Sequence, residues 1–576
     1  MSSLFEKYRY LLTDYDSLVA YSFLGIVAGV AASLTVLAFD LAIDELETAL
    51  TGAFGAAGLR QLSGWTAFAL PTIGAALLGC AYAMLKPADR ETGIVHVISR
   101  MHSHYSVLPL RNALVQFFGG IFALATGQSG GREGPGVHLG GAVTSLMGQW
   151  LGLPNNSLRM LIACGTAGGI AAAFQTPLAG VIFAMEVIVA EYTVAGFIPV
   201  ILAAVSASAV SHLLSTETEL FLIEPIQLNS MMELPYIILL GFCCGLAVSL
   251  FIRISRLAAT FSSAHVALRF TLAGCITGLL ALWVPDILGI SYDSMGDVIA
   301  GNLAIPALLA ICICKLVATA VSCGVGMPIG LIGPSLLIGA CIGGSLGIIG
   351  QQLQPDLASE PTLYVVIGMG AAMGAILNAP LAAILAVVEM TQTIGMGMAA
   401  MLAIVTATLT NTSLFGQRSA HQTVLRQLRR LVPSDPLTQL LHRTAVTSTM
   451  DSRAVRVPAL LTDSDREPLL EFKPTWCLLE REGQDLYLVR GEDLLNWLSQ
   501  QTAEQESVDL TGADIRRWSV AAVPLQATLR QALDTMSRTT TEAVYVTETS
   551  RTTGNKILHG VLTKESVERF SLAGLK

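Results

Sequence analysis

Gly131-Arg132-Glu133-Gly134-Pro135, with Gly140 following, and Gly330-Leu331-Ile332-Gly333-Pro334, with Gly339 following, share one spacing in two distant parts of the chain. Each is succeeded by a second matching block: Gly165–Glu186 reads GTAGGIAAAFQTPLAGVIFAME and Gly368–Glu389 reads GMGAAMGAILNAPLAAILAVVE. In both blocks a Gly lies twelve residues before a Pro, and that Pro lies nine before a Glu (Pro177 and Glu186; Pro380 and Glu389). Two registers that agree independently mark an internal repeat rather than shared composition. Apolar helices broken by Gly and Pro at corresponding places in two halves point to a transport protein, with its site at the repeat interface near the bilayer midplane. The site is therefore expected where residues 131–135 meet residues 330–334. Tight packing of small residues is the alternative explanation, but packing alone does not require Pro at the same offset from Gly in both halves.

The rest of the chain agrees with a membrane setting. Of 576 residues, 53% are hydrophobic and only 13% charged, with a mean hydropathy of +0.62, which excludes a conventional soluble enzyme and a disordered chain. The charge is uneven: 36 Asp, Glu, Lys and Arg fall in residues 1–420 and 39 in the remaining 156, so a membrane part meets a soluble part near residue 420. A net charge of −9 offers no basic surface for phosphates, so nucleic acid is not an expected partner. The ten cysteines lie mostly in apolar runs such as Cys312-Ile313-Cys314 and lack zinc-ligand spacing, so no metal is expected. Residues 1–16 carry Glu6, Lys7, Arg9, Asp14 and Asp16 and show no cleaved signal peptide.

Spans of about 20 apolar residues are expected at Val19–Phe39, Trp65–Leu85, Tyr236–Ile252, Phe270–Leu288 and Ile394–Leu409. Gly140–Leu151, Leu178–Val189 and Leu381–Val388 are shorter and read as helices that end within the membrane, which is tolerated only where backbone is buried in protein or lines a watery path. Pro135, Pro177, Pro334 and Pro380 each open a helix-forming stretch, as Pro does in a first helical turn. Helix N-termini present unpaired N–H groups and partial positive charge, so the expected cargo is a small anion. Glu133, at such an end, competes for the same N–H groups and frees them when protonated or displaced, which makes it a gate; an ion pair with the adjacent Arg132 is compatible with that role. An enzyme is not expected, because neither a metal motif of the HExxH type nor a nucleophile with its base is present, and His96, His102 and His104 read as surface histidines.

Together these residues resemble the CLC family of chloride channels and proton-coupled chloride antiporters, over most of residues 15–440, most specifically in Gly-Arg-Glu-Gly-Pro at 131–135. The resemblance implies an all-α polytopic membrane domain of two inverted repeats (about 15–215 and 230–420) with broken helices, a pore in each subunit, and a homodimer. It implies that Glu133 is the external gating glutamate and that the backbone N–H groups at Gly134, Leu331 and Ile332 help bind the anion. The family's GSGIP filter falls on Glu91-Thr92-Gly93-Ile94-Val95, where Thr92 keeps the hydroxyl that meets the anion. Ile332 replaces an aromatic, and the pore tyrosine falls on His421, which can change charge near neutral pH; a solvated helix-end histidine is the plainer reading. Antiporters of the family usually carry a second, internal glutamate directly after the position of Glu186; this chain has Val187, which cannot bind a proton.

After a last-helix extension and linker (421–443), residues 444–576 alternate short apolar strands with charged helices. Asp485–Leu495 and His559–Val567 each read as a strand feeding a helix and resemble the G-I-V-T-x-x-D-L end of cystathionine-β-synthase (CBS) domains, which implies a cytoplasmic α/β tandem CBS-like domain. In that resemblance Asp493 matches a ribose-binding aspartate and Ser566 takes its place in the second copy; adenine-nucleotide binding and a purely structural dimerisation role both stay open. Apart from that nucleotide no cofactor is expected. The function expected from residues 1–420 is passive, Glu133-gated conduction of chloride across a prokaryotic cell membrane, with termini in the cytoplasm. The alternative is proton-coupled chloride antiport in which Glu186, Glu191 or water carries the proton that Val187 cannot.

Overall fold

The computed structural model describes residues 18–52, 57–103, 105–190, 194–214, 228–391, 394–428, 440–441, 444–481, 484–500, 507–549 and 556–574. The N-terminal charges, His104, Glu191 and most of the 421–443 linker lie outside the described residues. The chain separates into two compact units, one formed by Tyr21–Gln149 with Arg159–Val432, the other built on Pro433–Lys576.

The first unit is helical and polytopic. Its first half comprises α1 (Leu18–Thr51), α2 (Trp65–Ala83), α3 (Gly93–Ser103), α4 (Leu110–Ala125), α5 (Glu133–Leu151), α6 (Asn155–Phe174), α7 (Pro177–Phe183) and α8 (Val194–Leu214). The second half follows the same order: α9 (Leu234–Ala259), α10 (Val266–Ala281), α11 (Tyr292–Ile299), α12 (Ile305–Gly324), α13 (Ile332–Leu353), α14 (Pro361–Leu377), α15 (Pro380–Thr391) and α16 (Gly397–Leu409). α17 (Ala420–Gln427) closes the unit. Among the described residues, eight helical segments are long and apolar enough to cross a membrane.

Several expected boundaries move. The first helix runs to Thr51, well past Phe39, and the Phe270–Leu288 span stops at Ala281, because Pro285 opens a separate 3₁₀ turn, Pro285–Ile287. Gly140–Leu151 is the tail of a 19-residue helix that begins at Glu133, so it is no short helix. α7 and α15 are short, as expected. Each follows a non-glycine residue in the left-handed region, Gln175 (φ 56°) and Asn378 (φ 55°), which breaks the preceding helix one residue before Thr176-Pro177 and Ala379-Pro380.

The glycines of the repeated motifs set the packing. A Cβ on Gly140 would lie 2.2 Å from the Gly165 carbonyl oxygen, and one on Gly339 would lie 2.1 Å from that of Gly368. Only glycine lets α5 meet α6, and α13 meet α14, backbone to backbone.

The second unit repeats one order twice. The first copy is β1 (Ala454–Pro458), β2 (Leu460–Thr462), α18 (Asp463–Phe472), β3 (Trp476–Arg481), β4 (Gln484–Arg490) and α19 (Gly491–Ser499), after which β5 (Ser507–Asp509) pairs with β2. The second is β6 (Val520–Pro524), α20 (Leu529–Thr539), β7 (Ala543–Thr549), β8 (Lys556–Thr563) and α21 (Lys564–Gly574). In each, the first strand pairs parallel with the next long strand, which pairs antiparallel with the third. This is an α/β fold of the CBS-like type. Trp476, Leu478, Leu488 and Trp518 pack with Tyr545 and Val561, burying an apolar seam between the copies.

Candidate functional site

The two glycine motifs meet. Gly131 N–H donates to the Gly330 carbonyl at 2.8 Å and Gly330 N–H donates back to Gly131 at 2.7 Å, an antiparallel bridge between the broken segments of the two halves. Immediately beyond it the chain enters α5 at Glu133 and α13 at Ile332, so both helix N-termini open at the bridge. Neither Pro135 nor Pro334 is strained there, since each sits in a first turn. The result is a buried point where two sets of orphan N–H groups face a common space.

Glu133 occupies that space. Its side chain is fully buried, one carboxylate oxygen accepting the Gly333 N–H at 3.1 Å and the other accepting the hydroxyl of Tyr292. A Cβ on Gly333 would lie 2.9 Å from the carboxylate, so glycine is needed for this approach. The carboxylate thus caps the start of α13. The resemblance pointed to Leu331 and Ile332 as N–H donors; the donor engaged here is the next residue, Gly333. Leu331 precedes α13, Ile332 opens it, and both are buried; Gly134 lies against Gly330, where an added Cβ would come within 2.7 Å of the Gly330 Cα.

Arg132 is not simply paired with Glu133. Its guanidinium sits 3.3 Å from Asp40 on α1 and stacks over the Tyr292 ring, 5.1 Å from the centroid. Arg132 thereby braces the tyrosine that grips Glu133. Neither Asp40 nor Tyr292 stands out in sequence, because each lies among other polar residues, Asp40 ahead of Asp44, Glu45 and Glu47 and Tyr292 between Ser291 and Asp293, and neither belongs to a repeated motif.

A second support obeys the repeat. Gln116 on α4 and Lys315 on α12 stand at the same repeat offset as Gly131 and Gly330 and are both fully buried. Gln116 accepts the Gly93 N–H at 2.7 Å and donates to the Pro328 carbonyl at 3.0 Å, fixing the turn that carries Thr92. Lys315 donates to the carbonyls of Ile287 and Gly289 and to Ser291 Oγ at 2.8–3.0 Å, fixing the turn that precedes Tyr292. Thr92, half-buried, directly precedes α3 and is the first-half counterpart of Ser291. The Gln116 and Lys315 spacing was the available signal for this pair.

The second motif pair also meets. Glu186 accepts the N–H groups of Leu381 and Ala382, at 3.4 and 2.9 Å, and Glu389 accepts those of Leu178 and Ala179, both at 2.8 Å. Glu186 and Val187 lie in a π-turn, Ala184–Val189, that continues α7, with Val187 half-buried.

His96, His102 and His421 are buried rather than exposed. His96 and His102 are buried, 3% and 8% exposed, because α3 is embedded among helices; neither is a surface residue. His421 is buried at the start of α17, so a solvated helix end is excluded, and its Nδ1 has no hydrogen-bond partner among the described residues. Among the described residues no group of three His, Cys, Asp or Glu could hold a metal. In the second unit Asp493 is half-buried in the first turn of α19, whereas Ser566 is engaged with Thr563 as a helix cap.

The family described as voltage gated chloride channel matches residues 74–412. The H(+)/Cl(-) exchange transporter ClcA of Vibrio vulnificus is 32% identical over 389 residues, covering 65% of this chain and 82% of that protein. The putative chloride channel protein ClcB-like of Ralstonia nicotianae is 31% identical over 392 residues, covering 66% and 91%. Among solved structures, a slow cyanobacterial Cl-/H+ antiporter superposes with a TM-score of 0.64 at 21% identity, covering 71% of this chain and 97% of its own. A eukaryotic CLC transporter superposes with a TM-score of 0.59 at 20% identity, covering 96% of this chain and 99% of its own.

Proposed function

The chain belongs to the voltage gated chloride channel (CLC) family, and on that premise we propose that it exchanges chloride for protons across a membrane, using Glu133 for both ions. The carrying observation is the Glu133 carboxylate seated on the Gly333 N–H and the Tyr292 hydroxyl, where an anion would sit. Chloride and the carboxylate compete for one helix end. A proton on Glu133 removes its charge and with it the competition, so proton uptake and anion entry are linked at one group.

Thr92 and His421 complete the anion path from α3 and α17, and the N–H groups of Gly134, Leu331 and Ile332 supply further donors. The protein works as a homodimer in a prokaryotic cell membrane, its C-terminal unit in the cytoplasm. ClcA of Vibrio vulnificus carries the name of an H(+)/Cl(-) exchange transporter, which supports exchange over the passive conduction that Val187 suggests. Val187 keeps passive conduction as the second reading.

The test is proton uptake by proteoliposomes loaded with chloride and diluted into low chloride. Exchange drives protons inward against no pH gradient. Chloride efflux without proton movement contradicts exchange and leaves the passive reading.

A further inference from the structure

Two histidines that the gate does not use face each other further along α3 and α5. His96 stands four residues after Thr92 on α3, and His138 stands five after Glu133 on α5, about 7.5 Å further along that helix. His96 Nδ1 and His138 Nε2 are 2.9 Å apart, with ring centroids at 5.0 Å and planes at 67°. Both rings are buried, at 3% and 0% exposure. His138 Nδ1 has no hydrogen-bond partner among the described residues. A packing role does not explain this arrangement, because leaving a buried polar nitrogen unsatisfied costs about 1–3 kcal/mol that an apolar pair would not.

Two imidazoles joined nitrogen to nitrogen form a unit that passes a proton, since each ring accepts at one nitrogen while releasing from the other. Further along α3, His102 Nε2 lies 3.4 Å from the carbonyl of Ile188, inside the π-turn that holds Glu186 and Val187. α3 thus runs from the anion site to the place where the internal carboxylate is missing. Most charged and titratable groups on the surrounding elements are engaged elsewhere. Asp40 on α1 is ion-paired to Arg132, Arg159 on α6 donates to the Val189 carbonyl, and Arg100 on α3 donates to that of Val107. Glu186 caps α15, Tyr292 holds Glu133, and α17, which packs against α3, brings His421.

We propose that the His96–His138 pair carries the proton between Glu133 and the inner side, in place of the internal glutamate that Val187 removes. The proposal rests on the exchange reading. In the transfer, His138 Nδ1 takes up a proton, His138 Nε2 passes its own to His96 Nδ1, and His96 Nε2 releases one. One proton enters, one leaves, and the hydrogen bond between the rings reverses.

The test uses full-length protein in liposomes, with chloride efflux and chloride-driven proton uptake measured together for the unaltered chain, His138→Gln and His96→Gln. Glutamine keeps a hydrogen-bonding side chain but does not take up and release a proton as imidazole does. The expected result is chloride efflux within about twofold of the unaltered protein and proton uptake reduced by at least about tenfold in both variants. Coupling retained in both variants overturns the relay while leaving exchange intact. Absence of proton uptake in the unaltered protein overturns exchange and the relay with it. If His138→Gln loses chloride efflux as well, His96→Gln, which leaves α5 untouched, decides: coupled transport there overturns the relay, and chloride flux without protons supports it.

Discussion

Glu186 and Glu389 each cap the helix that leads to the other. Glu186 accepts the first N–H groups of α15, which carries Glu389, while Glu389 accepts those of α7, which runs into Glu186. The exchange satisfies orphan donors at two Pro-initiated helices and locks the halves together by symmetry. Glu389→Gln keeps the shape and removes the charge, and should lower thermal stability by about 1–2 kcal/mol while chloride transport continues. An unchanged unfolding midpoint in detergent would show that the reciprocal caps do not hold the repeats.

The competition at the start of α13 predicts a pH dependence with a definite sign. In the proposed exchange the charged Glu133 carboxylate blocks and the neutral acid releases, so chloride flux is expected to rise as external pH falls. Glu133→Gln should give chloride flux that no longer varies with pH, together with loss of proton coupling. Flux from this variant that retains the original pH profile would place the titrating group elsewhere.

Tyr292 and Glu133 share a hydrogen bond that helps keep the carboxylate seated. Tyr292→Phe removes that bond while keeping the ring over which Arg132 stacks. A hydrogen bond to a charged group contributes about 1.5–3 kcal/mol, so at a pH where Glu133 is charged chloride flux should rise by about tenfold or more, with proton coupling preserved. No increase would mean that the Gly333 N–H alone seats the carboxylate.

Gly339 and Gly368 are in backbone contact, and a methyl group on Gly339 would fall 2.1 Å from a carbonyl oxygen that cannot yield. Gly339→Ala should cost more than about 3 kcal/mol and abolish recovery of folded protein on size exclusion, whereas Gly296→Ala, with open space around it, should be recovered normally. Equal recovery of both would contradict the close packing of α13 on α14.

What could be read from the sequence was whatever the repeat wrote twice. Glu133, the paired Gly–Pro motifs and the helix starts at Pro177 and Pro380 were legible because spacing alone carries them. Gln116 and Lys315 obey the same offset but differ in residue type, so a search for matching letters passes over them. Asp40, Tyr292 and the His96–His138 pair were not legible, since their partners are brought in by helix packing from other parts of the chain. Burial of His96 and His102 is hidden for a related reason: α3 mixes His, Ser and Arg with its apolar residues, and the helices that cover both histidines come from elsewhere in the chain. Helix ends such as Thr51 lay beyond the hydrophobic limits because α1 continues past its apolar stretch on helix propensity and packing.

The central claim is that anion and proton meet at Glu133, and the most direct measurement is the reversal potential of purified protein in a planar bilayer under a fixed chloride gradient, with and without an imposed pH gradient. Exchange predicts a reversal potential that departs from the chloride equilibrium value and shifts when only the pH gradient changes. A potential that stays at the chloride equilibrium value at every pH gradient would contradict it.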